Sequence, residues 1–167
     1  MRLKPFILLG LVLLLTGCQN VTLQINNAYD PPGINRAPIE GKWTIIKTIF
    51  TPENRLDDFS YKKYIGKDLI ISSKAVIIDN TVIHKPSFQI RRINSSLLLE
   101  REFNTTKEAI GIKGDYLYII DIYENESKYF EVYREKDDLA YININGIFMQ
   151  IKKTSDQVTD KDIENFS

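Results

Sequence analysis

From residue 115 to residue 152 the chain breaks into four short apolar stretches separated by "ENES", "EKDD" and "NG". The stretches cover residues 115–123, 128–134, 139–144 and 147–152, and each is bounded by turn-forming residues. Asn145-Gly146 between two apolar runs is a strong hairpin signal, because a two-residue loop needs positive φ, which Asn and Gly tolerate. Strands joined by connections this short lie antiparallel to their neighbours, so the four form a meander. A parallel arrangement is excluded here, since its crossovers need roughly a dozen residues or more.

Upstream, strands are expected at residues 42–50, 68–73, 75–79 and 88–93. The segment "TPENRLDDFSYKKYIGK" interrupts them with helical features. Thr51 suits an N-cap, Pro52 a first helical turn and Glu53 the positive helix end. Leu56, Phe59 and Ile65 continue a helical stripe, and Gly66 is a natural stop. Farther on, "TTKEAIG" predicts one helical turn closed by Gly111. Open apolar sheet edges aggregate, so seven or eight strands should either close or stack as two sheets. The expected fold is therefore mainly β: a small antiparallel up-and-down barrel of seven or eight strands, with one helix inserted after the first strand.

In that first strand Trp43, Ile45, Lys47 and Ile49 share one parity. If this parity faces inward, Lys47 stands inside the barrel and becomes the candidate ligand-binding residue, suited to an acidic ligand group. The alternatives are that Thr44, Ile46, Thr48 and Phe50 face inward, or that a bulge shifts the register.

The chain opens on a different pattern. Arg2 and Lys4 precede an apolar run over residues 6–15, and a small-residue site follows, which is the layout of a secretory signal peptide. The run is about half the roughly 20 residues that a membrane-spanning helix needs. Leu15-Thr16-Gly17-Cys18 resembles the lipobox of bacterial lipoproteins. The resemblance implies cleavage between Gly17 and Cys18, diacylation of the Cys18 sulfur and acylation of its new amine. Two or three acyl chains anchor a protein stably. The implied location is the extracytoplasmic face of the cell membrane, with Cys18 as the lipid attachment site. Residues 1–17 are then the signal peptide, 18–38 a lipidated, flexible tether rich in Pro and Asn, 39–154 the β domain and 155–167 a polar, mobile tail with at most a loosely docked turn.

Gly41-Lys42-Trp43 at the start of the first strand resembles the opening motif of the lipocalins, and Asp115-Tyr116 resembles part of their second motif. Tyr64-Ile65-Gly66-Lys67 is similar to a segment of lipocalin-like domains in small lipoproteins. The resemblance implies the barrel and assigns no ligand. It departs from the family in lacking the third, arginine-bearing motif and a long C-terminal helix.

Removal of residues 1–17 takes away Arg2 and Lys4, which leaves 20 basic against 22 acidic side chains. A nucleic-acid partner is not expected of such a balance. The chain has one histidine, His84, and one cysteine, so no metal site is expected. No G-x-S-x-G nucleophile motif and no Gly-rich phosphate loop occur. The acidic doublets Asp57-Asp58 and Asp137-Asp138 read as solvated faces. The expectation is a surface-exposed, non-enzymatic lipoprotein without a cofactor, acting as a binding module for a small molecule or a short envelope component, with the ligand unknown. The alternative is a protein-interaction or inhibitor lipoprotein of the cell envelope with a filled barrel.

Overall fold

A computed structural model describes residues 33–51, 61–144 and 146–164. Nine strands are described: β1 (Gly41–Phe50), β2 (Asp68–Ile71), β3 (Ala75–Ile78), β4 (Thr81–His84), β5 (Ser87–Asn94), β6 (Tyr116–Glu124), β7 (Ser127–Arg134), β8 (Leu139–Ile144) and β9 (Ile147–Ser155). Three short helices accompany them: α1 (Ser95–Phe103), α2 (Lys107–Ile110) and α3 (Asp160–Glu164). No described helix is long and apolar enough to cross a membrane. The helix expected after β1 falls largely on residues 52–60, outside the described residues, as do Gly17 and Cys18.

The strands make one sheet in the order β4-β3-β2-β1-β9-β8-β7-β6-β5, and every pairing in it is antiparallel. The fold is thus mainly β and up-and-down, as expected. It differs in two respects: the strands number nine, and the sheet is not closed. Eight antiparallel pairings separate β4 from β5, so the two edge strands run in the same direction. Only Lys85 and Pro86 connect them, with Lys85 at φ 49°, and strands that run in the same direction need a crossover of roughly a dozen residues to pair. The extra strand, β4, arises because Asp79 at φ 52° starts a tight turn after β3. Ile34 covers part of the β5 edge by exchanging two main-chain hydrogen bonds with Phe88.

Both faces of the sheet are buried over much of their area. The inner face holds Trp43, Ile45, Leu69, Ile71, Phe88 and Ile120, joined by residues of every other strand. Ala37 and Ile39 enter the same cluster from the segment before β1, where Trp43 Nε1 donates to the Ile39 carbonyl at 3.1 Å. On the outer face, Leu117, Ile119, Tyr133, Tyr141 and Phe148 lie beneath Leu98 and Leu99 of α1 and Ile110 of α2. Phe103 packs edge-on against Phe148, with ring centroids 4.8 Å apart. Among the described residues, the helical cover over the meander comes from the chain after β5.

Local chemistry explains that cover. Asn94 caps α1 by accepting from the Leu97 N–H at 3.0 Å, and Asn104 closes it at φ 46°. Thr106 caps α2 by accepting from the Ala109 N–H, and Gly111 ends it at φ 89°, where the sequence places the stop. The nine residues of α1 are too few to hold as a helix alone in water, so packing of Leu98 and Leu99 supplies most of its stability.

The tail, expected to hold at most a loosely docked turn, forms α3, none of whose residues is buried. Val158 and Ile163 pack on Ile70, Ala75 and Ile77, a third cluster on the outer face of β2 and β3. Lys42 Nζ meets Asp162 Oδ1 at 2.5 Å, and this hydrogen bond, with others from Thr159, holds the Asp162 carboxyl at about 2. Sequence reasoning saw too few apolar groups in the tail to offset its ordering. The outer face of β2 and β3 supplies the missing apolar surface. Truncation after Ser155 should cost about 2 kcal/mol of apolar burial. The thermal midpoint then falls by roughly 5–10 °C, readable by circular dichroism. A change of a degree or less contradicts the docked tail.

Candidate functional site

Lys47 does not face the interior; it is exposed. The correction comes from a bulge in β1: Ile45 pairs with Ile151 and Lys47 with Gln150, so Ile46 is an extra residue. Before it the odd positions Trp43 and Ile45 face inward. After it Thr48 pairs with inward Met149, while Ile49 joins the outer cluster with Phe148. His84 is exposed as well, and its main-chain N–H donates to Glu124 Oε1 at 2.9 Å. Asp137 and Asp138 lie exposed in the β7–β8 turn, whereas Asp57 and Asp58 are outside the described residues.

Two clusters that sequence reasoning missed carry most of the charge chemistry. The first lies on the outer face of β5, β6 and β7, where direct pairing aligns Asp121 with Glu131. Arg91 Nε donates to Asp121 Oδ2 at 3.1 Å, and its Nη2 donates to Glu131 Oε1 at 2.7 Å. Lys128 Nζ stands 2.8 Å from Asp121 Oδ1 and also contacts Glu131. The Tyr133 hydroxyl donates to the other oxygen of Glu131. Burial pushes the Asp121 carboxyl up, but hydrogen bonds with Lys128, Glu131 and Arg91 outweigh it and hold the group below the ordinary carboxylate range. Burial, then Glu131, pushes the Tyr133 phenol up. Two cations thus balance two carboxylates. A general acid at neutral pH needs a carboxyl raised toward 7, and Asp121 moves the opposite way. The cluster fits a buried strut across three strands better than acid–base chemistry.

The second cluster lies on the inner-face parity at the opposite end of β6 from its hairpin with β7. Tyr118 pairs directly with Arg92 on one side and Arg134 on the other, and Tyr116 is the next residue of the same parity. The Arg92 guanidinium carbon sits 3.9 Å from the Tyr116 ring centroid, and that of Arg134 sits 5.0 Å from the Tyr118 centroid. Tyr116 is 48% exposed and Tyr118 39%, among the most exposed large side chains described. Arg91 is fully engaged by carboxylates, whereas Arg92 and Arg134 form no ion pair with a described residue. Period-two alternation puts Tyr116 and Tyr118 on one face, which is legible in the sequence. Their meeting with Arg92 and Arg134 depends on pairing across three strands.

The interior offers little room. Trp43, Phe88, Ile120, Val132 and Ile142 fill the inner face at no more than 1% exposure. A groove of about 200 Å³ lies at the periphery, lined by Asp138, Lys153, Thr154, Ser155 and Asp156. Another, of about 150 Å³, runs between Glu100 and the residues 104–106. Comparison with known proteins finds no matching family model, no matching curated protein and no matching solved structure.

Proposed function

We propose that this chain is a lipoprotein, anchored by Cys18 at the extracytoplasmic face of the cell membrane, whose lipocalin-like sheet binds a partner protein on its surface. The observation that carries the surface reading is the filled inner face, where large side chains occupy the volume a small ligand would need. The short basic head, the apolar run and Gly17-Cys18 support the anchor. The up-and-down order and the β1–β9 pairing support the lipocalin-like reading, with the seam between β4 and β5 as its departure. The carboxylates of the buried network are held by cations, in keeping with a binding role and no catalysis.

One measurement tests these parts together: native mass spectrometry of the full-length chain, expressed in a bacterium and extracted from its membranes. The expected species begins at Cys18, carries diacylglycerol and acyl mass, and holds no further small molecule. A mass that retains residues 1–17 without lipid refutes the anchor. A stoichiometric small molecule, released on collisional activation, refutes the surface reading.

A further inference from the structure

We propose that Arg92, Tyr116, Tyr118 and Arg134 form the docking point for an acidic segment of that partner protein. The proposal rests on the surface reading above and gives the partner a chemistry.

Two guanidinium groups with no carboxylate partner among the described residues stand on exposed tyrosine rings. Each guanidinium lies over its ring, and a guanidinium held in this way keeps edge N–H donors that can fork onto a carboxylate. The ring also fixes the arginine, so less side-chain freedom is lost when a ligand arrives. Neighbouring strands lie about 5 Å apart, so Arg92 and Arg134 start roughly 10 Å from one another with Tyr118 between them. Strands position them, which is a firmer mount than a loop. Arginine and tyrosine are enriched among the residues that dominate protein interfaces, and the absence of a deep cleft here suits a protein surface.

Charge selects the partner. Two discrete cations on a mature chain with 20 basic and 22 acidic residues suit one or two discrete carboxylates. A polyanion with closely spaced phosphates gains most from a broad basic field, which this balance does not provide. A lipid surface calls for an apolar wedge to insert, whereas here each tyrosine ring carries a guanidinium group on one face.

The test uses the full-length chain in non-ionic detergent and a fluorescein-labelled dodecapeptide of alternating Glu and Ala, followed by fluorescence anisotropy. Saturable binding is expected, absent for the Gln and Ala counterpart and weakened as salt rises. Arg92→Ala with Arg134→Ala should weaken it at least ten-fold. Arg92→Lys with Arg134→Lys should fall between, because an ammonium keeps the charge and loses the fork. Unchanged emission from Trp43 verifies the fold of each variant. Binding that is undetectable in the native chain, or equal in the alanine pair, overturns the proposal. So does preferential capture of phosphatidylglycerol vesicles that the same alanine pair abolishes. A chain that carries no small molecule but ignores the acidic peptide refutes only this inference; a chain that carries one refutes the surface reading first.

Discussion

Trp43→Ala will destabilise the fold more than any other single truncation, by about 3–5 kcal/mol. The side chain is 0% exposed, sits in the inner cluster and donates its indole N–H to the Ile39 carbonyl. Its loss leaves a large void among Ile45, Leu69 and Ile151, and frees the segment that delivers Ala37 and Ile39 to the core. Lys153, whose ammonium lies 5.2 Å from the ring centroid, loses its aromatic partner as well. A domain of this kind has about 5–15 kcal/mol in total, so the variant should melt broadly or at least 10 °C lower in calorimetry. A sharp transition within three degrees of the parent shows that the inner cluster does not depend on Trp43.

Asp121→Asn is expected to be the second most costly change, and its cost depends on pH. Breaking a buried ion pair typically costs 3–5 kcal/mol, but Arg91 and Lys128 keep Glu131 and are partly solvated, so about 2 kcal/mol is expected at pH 7. The sign follows from the direction of the shift. Asp121 lies below its ordinary value of 3.8 in the folded state, so its contribution is fully present above that value. It is lost as pH falls through the lower, folded value. The parent should therefore lose stability below about pH 4, and the gap between parent and variant should narrow there. Thermal midpoints at pH 7 and pH 3 read both effects. An equal gap at the two pH values argues that Asn disturbs packing and that the charge is incidental.

Which parts of this fold are legible in the sequence follows from how local their causes are. The β6–β9 meander depends on turn residues beside the strands they join, and its boundaries fall within a few residues of the expected ones. Gly111 ends α2 for the same local reason. The run Leu97-Leu98-Leu99 has no periodicity of its own to separate strand from helix, and only Asn94 as a cap favours the helix. β4 was hidden because Asp79-Asn80 reads as the end of a strand as readily as a turn between two. The side that Lys47 takes stayed open in the sequence because register is a property of two strands, and the bulge shows only against β9. The Arg92–Tyr118–Arg134 row is non-local in the same sense. Its members lie 26 and 16 positions apart in the chain and meet only through pairing. The contact of Val158 and Ile163 with Ile70 and Ile77 is non-local too, because those partners count as strand residues until the second face of the sheet needs cover.

The bulge at Ile46 has a further consequence for how β1 tolerates change. Trp43 and Ile49 are both odd-numbered, yet they are buried on opposite sides of the sheet, because Ile46 adds one unit of phase between them. Without that residue the strand would alternate regularly, with Trp43 and Ile45 still inward and Ile49 still outward. Removal of one residue at the bulge, Ile46 or Lys47, therefore leaves both cores supplied in phase. β1 is written in two frames, and Ile46 is the space between them.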